Sequence, residues 1–233
     1  MRRSKYIRKI LLGMLMFTLI LGGANNVVAA KSTIGVIVFD GVLTSDVTAP
    51  IEVFGAASKQ AWFSEYDVVV ISATKNRKVQ SEEGLTILAE KTIYDDVPLD
   101  VVIVASAYDM KPVLANKALI EYVEKQHKRN AWMSSNCSGA MILGEAGVLD
   151  GKKATTWAGG EKELAKAYPT IDVQFDQNVV VDGRVITSNG GPVSYQAAFR
   201  LLQGLSSEKF SNDISELIQF DRLRDAFVAK APE

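Results

Sequence analysis

The chain has 233 residues, with one histidine, one cysteine, 26 basic and 27 acidic groups, and a formal net charge of −1. A lone histidine and a lone cysteine are too few for a zinc site, and one cysteine cannot close an internal disulfide. About 200 residues of folded chain bury one sizeable core, so a single domain is expected.

The first thirty residues read as an export signal. Arg2, Arg3, Lys5, Arg8 and Lys9 are followed by an apolar run, Ile10 to Leu21, and by Val28-Ala29-Ala30 as a small-residue cleavage site before Lys31. That run is shorter than the roughly 20 residues of a membrane span; an uncleaved anchor is the alternative, and otherwise no membrane contact is expected. The expected mature chain, 31–233, keeps 21 basic against 27 acidic groups, a net charge of −6. This balance suits a protein exported to the cell envelope or beyond and argues against a nucleic-acid partner.

Thr33 to Phe39 is apolar at nearly every position, as a buried parallel strand requires. A short helix is expected over Pro50–Lys59, strands over Tyr66–Ala73 and Leu99–Ala105, and one helix over Lys111–Arg129, where Val113, Leu114, Leu119, Ile120, Tyr122 and Val123 recur at spacings of three and four. A short strand at Ala154–Trp157 and a helix at Glu161–Tyr168 follow. Val179–Thr187 reads as a hairpin turning at Asp182-Gly183. Two amphipathic helices, Tyr195–Leu205 and Ile214–Phe227, end the chain. Strands alternating with helices imply an α/β fold with a doubly wound, mostly parallel sheet, whose ligands bind at the carboxyl ends of the strands.

Cys137 lies in Ala131-Trp132-Met133-Ser134-Ser135-Asn136-Cys137-Ser138-Gly139-Ala140, a strand running through small residues into an apolar helix. This is the outline of a nucleophile elbow, in which a sharp turn presents one side chain to a cleft. Backbone N–H groups and a helix N-terminus favour the thiolate there. The competing reading is a small buried hydrophobe.

Three stretches together resemble the ThiJ/PfpI superfamily, which has the class I glutamine amidotransferase-like, flavodoxin-like fold. They are Ile37 to Gly41 with Asp46-Val47-Thr48-Ala49-Pro50-Ile51-Glu52-Val53-Phe54, Asn136 to Ala140 with Gly147 to Thr156, and Val185 to Gly191. The subgroup most similar contains isonitrile hydratase-type enzymes and the sensor domains of AraC-type regulators. Carried over by motif position, the resemblance implies Cys137 as nucleophile and Asp46 as the acid beside it, with Asp46 protonated while the thiolate is present. Members commonly form dimers, so a homodimer is implied as well.

Departures from the family pattern shape the rest. No histidine follows Thr156, where Trp157 stands, and the lone His127 reads as a solvated helix residue, which disfavours a Cys–His protease or amidotransferase. The usual Pro-Gly-Gly turn after the third strand is Ala105-Ser106-Ala107, whose side chains crowd the corner. Ser138 replaces a threonine and keeps the hydroxyl. Ser138, Gly139, Ser106, Ala107, Asn189, Gly190 and Trp157 are therefore expected around the substrate, with Asn136 bracing the elbow and Glu52 as a second acid or a structural residue. No cofactor is expected. The function implied is a cysteine-dependent hydratase or lyase acting on a small electrophile; the alternative is a small-molecule binding or thiol redox-sensing domain of the same fold.

Overall fold

The computed structural model describes residues 30–60 and 64–223. All of the expected export signal but its last residue, Ala30, and the end of the expected last helix lie outside them. The elements are strands β1 (Ala30–Val38), β2 (Ser64–Ser72), β3 (Lys78–Gln80), β4 (Thr86–Leu88), β5 (Lys91–Thr92), β6 (Val101–Val104), β7 (Trp132–Asn136), β8 (Lys153–Ala154), β9 (Asp172–Val173), β10 (Val179–Asp182) and β11 (Val185–Ser188). The helices are α1 (Thr44–Gln60), α2 (Lys111–Leu114), α3 (Lys117–Lys128), α4 (Gly139–Glu145), α5 (Glu161–Ala167), α6 (Ser194–Leu205) and α7 (Glu208–Leu217).

Seven strands form one sheet in the order β10-β11-β7-β6-β1-β2-β5, parallel except for the β10–β11 hairpin. The central strands are buried on both faces: Ile34, Val36, Ile37 and Val38 in β1 and Val101, Val102 and Val104 in β6 have no exposed surface. Parallel strands need crossover helices, and these cover both faces. Helix α1 packs on α6 and α6 on α7, while α3 packs on α4. Phe54, the largest fully buried side chain, anchors α1 against Tyr66, with ring centroids 5.6 Å apart.

Several boundaries depart from the sequence expectation. Helix α1 begins at Thr44, not Pro50, because Thr44 is tied down from outside: its N–H donates to Glu83 Oε2 at 3.0 Å and its hydroxyl to the same oxygen at 2.5 Å. The expected helix over 111–129 is two helices. Asn116 caps the second, its Oδ1 accepting from Leu119 N–H at 3.2 Å while its Nδ2 donates to Ala73 O at 2.8 Å. The hairpin turns at Gly183-Arg184, since Asp182 pairs with Val185, and only Gly183 takes a positive φ (61°). Helix α7 starts at Glu208, capped by Ser207, and ends at Leu217 with Gln219 in the left-handed region (φ 62°).

Candidate active site

Four loops meet at the carboxyl edge of the sheet, after β1, β6, β7 and β11. Cys137 follows β7 at once and holds φ at 50°, a left-handed conformation that a non-glycine residue adopts only under constraint. The constraint comes from three hydrogen bonds. Cys137 N–H donates to Ser188 O at 2.8 Å, and Cys137 O accepts from Thr156 Oγ1 at 2.9 Å and from Ala140 N–H at 3.3 Å. Gly139 lets the elbow sit tight on β6: a Cβ there would lie 2.7 Å from Val104 O and 2.8 Å from Ala105 O. Cys137 itself is half-buried.

Asp46, in the first turn of α1, has no exposed surface. Its carboxylate is held by four donors. Oδ2 accepts from the Ser106 hydroxyl at 2.5 Å and Ser106 N–H at 3.2 Å; Oδ1 accepts from the Ser194 hydroxyl at 2.8 Å and Gly191 N–H at 3.0 Å. Gly190 (φ 78°) fits between this carboxylate and the elbow. A Cβ on it would stand 2.4 Å from Cys137 Cβ and 3.1 Å from Asp46 Oδ1, so thiol and carboxylate are neighbours across one glycine.

Pro50 explains another tie. It has no N–H to donate to the carbonyl four residues back, which is that of Asp46. Asn136 Nδ2 fills the gap, donating to Asp46 O at 3.2 Å, while Asn136 Oδ1 accepts from the Ser188 hydroxyl at 2.7 Å. The residue before the cysteine thus braces α1, the elbow and the end of β11 together.

Protonation departs from the expectation of a ready thiolate. Burial pushes the Cys137 thiol up, and the Asp46 charge adds to this; hydrogen bonding by the Ser106 hydroxyl and by Ser138 opposes them without prevailing. Burial also raises the Asp46 carboxyl above its ordinary range, against the hydroxyls of Ser106 and Ser194 and the N–H groups of Gly191 and Ser106.

The other residues singled out in the sequence gather unevenly. Ser138 donates through its hydroxyl to Ala107 O at 2.9 Å, which joins the elbow to the loop after β6. Ser106 does not crowd the corner outward; it is fully buried and turned onto Asp46. Asn189 donates to Thr156 O at 2.5 Å, one bond removed from Cys137. Gly139 is buried against strand backbone, and the Trp157 ring covers Gly160. Glu52 is exposed and accepts from the Tyr195 hydroxyl. His127 is half-buried, with Nδ1 enclosed and unpartnered, and burial lowers its pKa. It ends α3, which leads into the amino end of β7, so it lies at the opposite sheet edge from Cys137.

Sequence reasoning missed Ser194 and Ser188, ordinary serines in a helix start and a strand end. Among the described residues, no group of three or more His, Cys, Asp or Glu side chains is placed to hold a metal ion. A groove lined by Asn178, Gln196, Phe199, Arg200 and Ser215 opens between α6 and α7, and its lining shares no residue with the Cys137 site.

Comparison with known proteins agrees with this architecture. The profile of the DJ-1/PfpI family matches residues 32–203. An isonitrile hydratase of Pseudomonas putida is 30% identical over 189 residues, covering 80% of this chain and 75% of the hydratase. An uncharacterized protein of Methanocaldococcus jannaschii is 40% identical over 126 residues, 52% of this chain, and the match spans 60% of that protein's own length. Among solved structures, a ThiJ/PfpI family protein from Pseudomonas syringae superposes with a TM-score of 0.72 at 23% identity, covering 84% of this chain and 78% of that one. An AraC family transcriptional regulator from Pseudomonas putida gives 0.70 at 16% identity, over 80% and 99%. At these identities the superpositions speak for the fold alone. The chain belongs to the DJ-1/PfpI family.

Proposed function

We propose that this protein is a cysteine-dependent hydratase or lyase acting on a small electrophilic carbon, with isonitriles as the first class to test. One observation carries the reading: a carboxyl group with no solvent exposure, held by four donors, stands beside the chain's only cysteine at the elbow. Isolating a carboxyl group in this way raises its basicity and dedicates it to one neighbour. The P. putida relative supports the substrate class.

The chemistry balances without a cofactor. Cys137 sulfur adds to the isonitrile carbon while the thiol proton, held by Asp46 as the S–H bond breaks, is delivered to the same carbon, giving a thioimidate, R–N=CH–S–Cys. Water adds across the C=N bond. The tetrahedral carbon then collapses, returning Cys137 as the thiol and releasing the formamide, R–NH–CHO. One water is consumed and nothing is oxidised or reduced. Asp46, being sealed from solvent, exchanges protons with the site rather than with bulk water.

Purified protein carrying residues 31–233 should convert members of a panel of alkyl and aryl isonitriles to the corresponding formamides, seen by mass spectrometry, and Cys137→Ser should not. No turnover across the panel, with the fold intact, sinks the hydratase reading. The raised thiol favours a second reading, a small-molecule binding or redox-sensing domain in which Cys137 rests protonated; a co-purified ligand unaffected by Cys137→Ala would support it. Export is part of the proposal, motivated by the basic and apolar leader, and amino-terminal sequencing of the secreted protein should start at Lys31.

A further inference from the structure

We propose that the groove between α6 and α7 is a second binding site, built for a short uncharged saccharide. Its volume, about 700 Å³, lies within the roughly 300–1,000 Å³ of small-molecule sites. Two helix faces form its main walls. Helix α6 contributes Gln196, Phe199, Arg200 and Gln203, and α7 contributes Glu208, Ser211, Asn212 and Ser215. Both sets run at i, i+3, i+4 and i+7, so each is one continuous stripe of its helix. Packed helices ordinarily turn apolar stripes toward each other. Here the facing stripes are mostly polar, while Leu201, Leu202 and Ile214 of the same helices are buried in the core.

The walls are fixed without a ligand. The Ser211 hydroxyl donates to Phe199 O at 2.8 Å, pinning α7 to α6. The Phe199 and Phe220 rings meet with centroids 5.2 Å apart. The third side is the loop 176–178, in which Asp176 holds φ at 57° and Asn178 O accepts from Asn189 N–H at 2.9 Å. The polar groups around the groove are not spent on the protein. Among the described residues, the side chains of Gln177, Asn178, Gln196, Asn212 and Ser215 make no hydrogen bond to protein atoms. Arg200 forms no ion pair among them and bonds only the neutral Gln203 amide, at 3.3 Å.

These groups select the ligand. A primary amide carries two donors and an acceptor, and a hydroxyl is donor and acceptor at once. Several amides and a guanidinium around one groove therefore match pairs of adjacent hydroxyls. Phe199 and Phe220 give the floor an apolar surface, which the C–H face of a pyranose ring covers. An apolar ligand would bury the amides without partners, at a cost that its own burial does not offset. An anion is disfavoured as well, because the carboxylates of Asp176 and Glu208 outnumber the Arg200 cation. A di- or trisaccharide has the required polar edges and apolar faces.

Saturation-transfer NMR of the 31–233 protein with maltotriose, cellotriose and triacetylchitotriose tests the assignment. At least one should bind, at about 0.1–1 mM, since the exposed glutamine and arginine side chains must be ordered. Gln196→Ala and Asn212→Ala, both at exposed positions, should each weaken that binding about three- to tenfold. Lys209→Ala, on α7 but outside the groove lining, should leave it unchanged. Alkylation of Cys137 by iodoacetamide should leave it unchanged too, which separates this site from the elbow and from the outcome of the isonitrile panel. No binding of any of the three sugars at about 10 mM overturns the proposal. So does sugar binding that both groove variants retain in full, or a groove that takes inorganic phosphate or triglycine in place of the sugars.

Discussion

Gly190→Ala is the sharpest structural perturbation of the site. Gly190 holds φ 78° and ψ −169°, a backbone region that is nearly glycine's alone, and forcing another residue into it costs about 1–3 kcal/mol. The new Cβ would also stand 2.4 Å from Cys137 Cβ and 3.0 Å from Cys137 N, neither of which lies at the end of a flexible side chain. Overpacking of that kind adds about 1–3 kcal/mol. The sum, about 2–6 kcal/mol, corresponds to a fall in Tm of roughly 4–24 °C for a domain of this size. Gly183→Ala is the control: it too has a positive φ, 61°, but nothing lies within 4 Å of the added carbon. It should lose only the strain, about 1–2 kcal/mol. Scanning calorimetry of both variants separates the contact from the strain. Equal Tm values for the two would refute the claim that Gly190 is the spacer between thiol and carboxylate.

Three further outcomes follow from the same geometry. Burial raises the Asp46 pKa above 3.8 in the folded protein, so the native state binds that proton more tightly than the unfolded chain, and stability falls as pH rises from 3.8 through the raised value. Asp46→Asn cannot titrate; the wild-type minus variant unfolding free energy in urea should therefore decline as pH rises from 3.8 through the raised value, and a rise would be incompatible with the assignment. Asn136→Ala leaves the Asp46 carbonyl without its side-chain donor and the Ser188 hydroxyl proton without its acceptor and should cost about 2–4 kcal/mol in urea titration, with a cost below about 1 kcal/mol counting against the bracing role. Gly139→Ala presses a carbon against the carbonyls of Val104 and Ala105; it should cost about 1–3 kcal/mol, and a neutral result would show that the elbow packs less closely on β6 than described.

The fold was legible where chemistry is written in runs. Uninterrupted apolar stretches marked β1 and β6, and small residues around Cys137 marked the elbow, because a sharp strand-to-helix turn tolerates little else. The site was legible only in part. Asp46 came through motif resemblance, Gly190 as an expected pocket residue of the Val185–Gly191 stretch, and Asn136 as an expected brace of the elbow. Ser194 and Ser188 were not, since nothing local distinguishes a serine that points at a carboxylate from one that faces water. Ser106 was noticed for its bulk and misjudged in direction: its side chain satisfies a buried carboxylate instead of narrowing the cleft. The start of α1 was misplaced because its cap, Glu83, arrives from a hairpin of three-residue strands too short to leave a periodic signal. The thiol's protonation reversed for a similar reason, because desolvation is a property of the packed site and not of the elbow sequence.

The central claim is that Cys137 bonds covalently to the substrate carbon. Acid quenching during turnover of an isonitrile, followed by peptide mass mapping, tests it directly. The peptide bearing Cys137 should gain the mass of one substrate molecule, with no gain in Cys137→Ser and no formamide from that variant. Formamide produced by Cys137→Ser at the wild-type rate, or an adduct on any residue other than Cys137, would contradict it.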